Sequence, residues 1–194
     1  RKKRVALLFD FNKMDNELAK NLSKLKEAQV SNGGFPWFPG MPESRYVTQY
    51  IVSGLGHLNQ LNITSVKENR DIKKMTENAV KYLDDRMLED YKELKKRNLL
   101  TKDYFVSQYL VQYIYARTFF NEIKLGKEKQ EAFDFFKANA EKNWTKLNLN
   151  NQTMLALATH RLGNVQVAKD IMKSIVERSI STEEMGMYWK ENER

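Results

Sequence analysis

The stretch Asn69 to Arg97, NRDIKKMTENAVKYLDDRMLEDYKELKKR, decides the fold class. Ile72, Met75, Ala79, Leu83, Met87 and Leu94 recur at steps of three or four residues or a sum of these, so they line one face of a long helix. Around them Lys and Arg are interleaved with Asp and Glu at helical spacing, as on a solvated helix surface. Just upstream, Ser65 and Glu68 in SVKE have the spacing of a capping box. Downstream, RNLLTKD ends the helix, with Thr101 and Asp103 as candidate caps for the next.

Working outward, the same periodicity predicts helices near Phe11 to Gln29, Ser44 to Leu61, Ser65 to Arg97, Asp103 to Ile123, Lys127 to Asn143, Asn150 to Leu162 and Asn164 to Ser179. No segment alternates with period two over any length, so an all-α chain with essentially no sheet is expected. Gly126 and Gly163 stand where left-handed C-terminal caps are expected, and Asn164 can cap the following helix at once. The helices are of two kinds. Those containing Tyr46 to Leu58, Tyr104 to Phe120 and Met154 to Leu162 are apolar or aromatic around most of their circumference, and the others are striped and charged. That alternation suggests hairpins in which buried inner helices are covered by outer ones.

Two short echoes run along the chain. VTQY at Val47 to Tyr50 recurs as VSQY at Val106 to Tyr109, and Gln152 and Thr153 open the third inner helix in a similar way, a spacing of about 45 to 60 residues that suits a helix pair per unit. Gly34, Phe35, Pro36, Trp37 is echoed by Gly186, Met187, Tyr188, Trp189, again after a helix and a polar linker. In such a joint the glycine lets the backbone turn, and Trp37 with Phe38, or Trp189, pins the turn to the core.

Composition bounds the chemistry. The 194 residues carry a formal charge of +8 and a pI near 9.4, with 30% charged residues and a mean hydropathy of −0.67. The positive charge is interleaved with negative outside RKKR at the start and Lys95 to Arg97, so nucleic-acid binding is not expected. No apolar run approaches the roughly 20 residues of a membrane span, so a soluble chain without direct membrane insertion is expected. The opening RKKRVALLFD has neither an initiator Met nor an apolar signal region and reads as the start of an excised segment. There is no Cys, which removes disulfides, thiolate metal sites and a Cys nucleophile from these residues.

Candidate chemistry is sparse. Asp84, Asp85, Glu89 and Asp90 resemble the paired carboxylates that hold magnesium against a diphosphate, but position 88 is Leu where such a motif would carry a third Asp, and the cluster reads as a solvated outer face. His57 and His160 each close an inner helix, where imidazole complements the last carbonyls, and neither has a motif partner. Asn-x-Ser/Thr occurs at Asn21, Asn62, Asn143 and Asn151. Aromatic residues gather in FPWF with Tyr46 and Tyr50, and in YFVSQYLVQYIYARTFF, as core or as the lining of a contact surface. Gly33, Gly34, Phe35, Trp37, Phe38, Tyr46, Tyr50 and Trp189 are therefore the candidate contact surface or structural joint. No catalytic residue, metal or cofactor is expected.

The run LKEAQVSNGGFPWFPGMPESRYVTQYIVSGLGHL, with LALATHRLGN and RSISTEEMGMYWK, resembles the helical thioester-domain region of bacterial alpha-2-macroglobulins, the large extracellular alpha-helical proteins. The likeness extends from about Val5 to the C-terminus and is most specific from GGFPWF to GLGHL. It implies an α/α toroid of helical hairpins, like that of the complement thioester domain and the terpenoid cyclases and prenyltransferases. The chain would then be a single helical domain, a partial toroid of about seven helices taken from a larger one. The family traps proteases after cleavage of a bait region and can acylate them through a Cys-Gln thioester. Its Cys-x-Glu-Gln motif would lie outside these residues, before Arg1 in the parent protein, or the parent would be one of the members that lack a thioester and trap proteases non-covalently. The implied partners are target proteases and neighbouring macroglobulin domains of the same chain, in the periplasm or at the cell envelope. Two other readings stay open: a toroid enzyme acting on an isoprenoid or a polysaccharide, and a helical-repeat module binding a peptide.

Overall fold

Long helices follow one another with short connections in the computed structural model, which describes residues 2–190, with side chains from residue 13 onward apart from 64 and 65. In chain order these are α1 (Lys2–Ala28), α2 (Arg45–Gln60), the single turn α3 (Thr64–Lys67), α4 (Arg70–Lys96), α5 (Gln108–Arg117), α6 (Lys127–Lys142), α7 (Leu149–Arg161) and α8 (Val165–Glu177). The fold is all-α. Two short antiparallel ribbons interrupt it: β1 (Phe35–Pro36) with β2 (Glu43–Ser44), and β3 (Ile180–Thr182) with β4 (Gly186–Tyr188). Periodicity could not reveal strands of two or three residues, and both fall on the two Gly-x-x-Trp stretches. Among the described residues, no helix is long and apolar enough to cross a membrane.

The chain divides into two compact units, residues 1–86 and 87–194. The first contains α1, the β1–β2 ribbon, α2, α3 and the larger part of α4, to residue 86. Asn69 starts α4, its Oδ1 accepting from the backbone N–H of Asp71 and Ile72, whereas the Ser65 side chain of the expected Ser65 and Glu68 box lies outside the described residues. Ile72, Met75, Ala79 and Leu83 are buried as their spacing predicts. The buried surface is wider than a stripe, however, for Thr76, Val80, Tyr82 and Asp84 are buried as well. Asp84 is thus a correction to the reading of its cluster as a solvated outer face.

Within the second unit α5 is the helix enclosed most completely: Leu110, Val111 and Tyr113 to Arg117 are all buried. It is much shorter than the predicted Asp103 to Ile123. Ser107 caps it by accepting from Leu110 N–H, in place of Thr101 or Asp103, and the buried Arg117 guanidinium donates to the carbonyls of Phe120 and Ile123 just past its end. Gly126 is also corrected. It precedes α6 with φ −71°, as an N-terminal rather than a left-handed C-terminal residue. Gly163 does adopt the left-handed conformation, φ 88°, after α7, and Asn164 caps α8 by accepting from Val167 N–H. α7 and α8 pack as a hairpin. The amphipathic α8 buries Ala168, Ile171 and Ile175.

The caps also fix the register of the repeat. Ser44 accepts from Val47 N–H and Ser107 accepts from Leu110 N–H, so the matching lines are SRYVTQYI from Ser44 and SQYLVQYI from Ser107. VTQY and VSQY, paired by sequence alone, lie one turn out of step. Equivalent tyrosines differ in environment: Tyr50 is 69% exposed, whereas Tyr113 is fully buried.

Candidate functional site: an aromatic ribbon

Polar residues hold the first ribbon in place before any aromatic one does. α1 ends at Ala28, and the Gln29 amide donates to the carbonyls of Gly33 at 2.9 Å and Met75 at 2.8 Å, tying the loop to α4. Asn32 closes an Asx turn by accepting from Gly34 N–H at 3.0 Å, and its Nδ2 donates to Glu43 Oε1 at 2.8 Å. Phe35 N–H donates to the Thr48 hydroxyl, which itself donates to the carbonyl of Ser44. The fully buried Thr48 thus joins β1, β2 and the first turn of α2.

Gly33 and Gly34 are required for different reasons. Gly33 has φ +93°, and a Cβ there would lie 2.4 Å from the carbonyl oxygen of Asn78 in α4. At Gly34 a Cβ would meet Glu43 Cβ at 2.7 Å and the Tyr82 ring at 3.2 Å, so close approach excludes a side chain. The Glu43 carboxyl is held below the usual carboxylate range, chiefly by a hydrogen bond from its own backbone, then by the Asn32 amide, with the Arg86 charge adding to both.

The aromatic residues then divide. Phe35 is 1% exposed and is the residue that anchors the ribbon. Trp37 and Phe38, expected to do so, are 58% and 67% exposed. The reason is geometric: β1 ends at Pro36, so Trp37 and Phe38 enter the turn that leads to β2 and leave the unit's core. Trp37 instead stacks on Tyr46 of α2, with ring centroids 5.7 Å apart and planes 17° apart. With Met41 and Tyr50 also exposed, the ribbon and the first turns of α2 carry several large apolar side chains in water.

Trp189 belongs to the second unit and is used differently. It is half-buried, and its indole N–H donates to the carbonyl of Ile175 at 2.7 Å, fixing β4 to the end of α8. The rest of the second aromatic cluster is largely core. Tyr113 meets Phe133 edge-on, Tyr104 lies against Phe135 and Phe136, and Arg161 sits over the Phe119 ring at 4.1 Å while donating to Thr118 Oγ1.

Among the described residues, no group of three or more His, Asp or Glu side chains is placed to hold a metal ion. Asp84 is buried while the neighbouring Asp85 is exposed, so the pair does not present two carboxylates to one ligand. His57 and His160 are exposed in the last turns of α2 and α7. Asn143 and Asn151 are buried, which leaves no access to their amides for glycosylation. Gln29, Asn32 and Thr48, which hold the ribbon, were not singled out from sequence. An Asn before Gly-Gly is a readable turn signal, whereas the partners of Gln29 and Thr48 are far along the chain. A scan of the chain against protein-family models found no match, and a search of curated proteins found none either.

Proposed function

We propose that this chain is a helical scaffold segment of a bacterial alpha-2-macroglobulin-like endopeptidase inhibitor, and that the aromatic ribbon is the face it turns to a neighbouring domain of the same protein. The observation that carries this reading is the division of labour within the GGFPWF block. Two glycines, Asn32, Thr48 and Phe35 build a rigid joint, and that joint presents Trp37, Phe38, Met41, Tyr46 and Tyr50 to solvent. An exposed apolar run on a rigid support suits a protein contact. Protease trapping belongs to the parent protein, at the cell envelope or in the periplasm, after its bait region is cut. Any thioester there is supplied by residues other than these, which include no Cys.

The proposal is non-enzymatic and gives two expected results. The purified chain leaves a general protease fully active, and stoichiometric inhibition by it would refute the scaffold role. Hydroxyl-radical footprinting read by peptide mass spectrometry should oxidise Trp37 readily in the isolated chain and poorly in the parent protein. Equal oxidation in both would refute the domain contact. The diphosphate enzyme is disfavoured by the burial of Asp84. Magnesium-dependent diphosphate binding lost in Asp84→Ala and Asp85→Ala would revive it.

A further inference from the structure

Asn32-Gly33 is the one Asn-Gly step in the chain, and it lies in the turn between α1 and β1. Such a step is prone to rearrange, because a glycine nitrogen is unhindered when it attacks the side-chain amide before it. The Gly33 nitrogen bonds to Asn32 Cγ, the Cγ–Nδ2 bond breaks, and Nδ2 leaves as ammonia with the proton of the Gly33 N–H. Water then opens the cyclic imide at either carbonyl, leaving aspartate or isoaspartate at position 32. Only water is consumed. The fold holds both reacting groups. Gly33 is buried and its N–H donates to the Val30 carbonyl at 2.9 Å, which shields the nitrogen from any base that would take its proton. Val30 N–H donates to the Gly34 carbonyl at 3.0 Å and closes the turn on itself. The Asn32 amide is exposed but held at both ends, Oδ1 accepting from Gly34 N–H and Nδ2 donating to Glu43. The Asn78 carbonyl, 2.4 Å from where a Cβ on Gly33 would stand, leaves the backbone little room to rotate for ring closure.

We propose that Asn32 is a self-modification site, kept closed by the folded ribbon and irreversibly converted when the ribbon opens. Glu43 gives the conversion its consequence. An aspartate at position 32 still accepts from Gly34 N–H, but its second oxygen replaces a donor by an acceptor 2.8 Å from a carboxylate oxygen. Isoaspartate adds a methylene to the backbone of the same turn. Either product loses the bond to Glu43, so a chain whose ribbon has once opened is marked and re-forms the joint less tightly. The inference does not depend on the trapping proposal, because the reaction and its effect on the ribbon are properties of the isolated chain.

The test incubates the full chain in mildly alkaline buffer, folded and in guanidinium chloride. Tryptic peptide 27–45 is then read by mass spectrometry, with isoaspartate counted by enzymatic carboxyl methylation. Unfolded, position 32 should react ahead of every other asparagine, and folded, at least about tenfold more slowly. Thr48→Val removes the hydroxyl that joins Phe35 N–H to the Ser44 carbonyl and should speed the reaction of the folded chain about five- to tenfold. Asn32→Asp, which supplies one product directly, should accelerate hydrogen exchange at the Phe35 amide. Adding Glu43→Gln should restore slow exchange, because glutamine donates to the new carboxylate. Equal rates in the folded and unfolded chain, no acceleration in Thr48→Val, or an Asn32→Asp effect that Glu43→Gln leaves unchanged would overturn the inference.

Discussion

Replacing Phe35 and Trp37 by alanine, one at a time, separates an anchor from a contact residue. Phe35 is 1% exposed, so Phe35→Ala removes a whole buried ring and leaves a cavity, at a cost of about 3–5 kcal/mol. The ring also excludes water from the bond between its own N–H and Thr48 Oγ1, which becomes exposed to exchange. Trp37 is 58% exposed and loses chiefly its stack on Tyr46, worth about 0.5–1 kcal/mol at a wet site. Urea unfolding followed by far-UV circular dichroism reads the difference. With a slope of about 2 kcal/mol per molar, the midpoint should fall by roughly 1.5–2.5 M for Phe35→Ala and by about 0.5 M or less for Trp37→Ala. Hydrogen exchange at the Phe35 amide should accelerate in the first variant and stay slow in the second. If Trp37→Ala cost as much as Phe35→Ala, the tryptophan would be the anchor after all and the exposed-face argument would fail.

Two further perturbations probe the same joint. Gly33→Ala combines a left-handed backbone with a methyl group 2.4 Å from the Asn78 carbonyl, whereas Gly40→Ala, φ +86°, meets open space. The first should cost at least about 3 kcal/mol and the second only about 1 kcal/mol, and equal thermal shifts would contradict the close approach of the ribbon to α4. The Glu43 carboxyl has its folded pKa lowered, so the stability it contributes is present above its ordinary value of 4.5 and lost as pH falls through the lower folded value. Glu43→Gln should therefore flatten the acid limb of a stability-against-pH curve below that value, and an unchanged limb would show that Glu43 does not couple to folding.

The helices were readable because each one carries its own period. Ile72, Met75, Ala79 and Leu83 sit where spacing puts them, and Gly163 with Asn164 ends one helix and starts the next as their chemistry demands. What failed to show was set by partners distant along the chain. Ser107 rather than Thr101 or Asp103 starts α5 because Tyr104 to Val106 stay outside any helix first, and Val106 is buried there. No local rule favours one of three good capping residues over the other two. Asp84 carries the same letter as Asp85, and only the width of the surface packed against α4 decides which is buried. The ribbons are shorter than any pattern that could announce them.

The two Gly-x-x-Trp stretches show why a shared motif need not mean a shared role. Both lie on a two-stranded ribbon, but the first supplies the outgoing strand and the second the returning one. Gly34 is needed because Glu43 and Tyr82 leave no room for a side chain, whereas Gly186 has open space and is needed for its φ of +68°. The tryptophans diverge accordingly. Trp189 follows its strand and reaches Ile175 with its indole N–H, while Trp37 precedes a turn and is carried away from the core. A half-buried tryptophan with its N–H satisfied holds its own unit together, and an exposed one stacked on a tyrosine is free to meet a partner. The second arrangement has a clear purpose only if another surface covers it, which is why the proposed domain contact stands or falls on the accessibility of Trp37 in the parent protein.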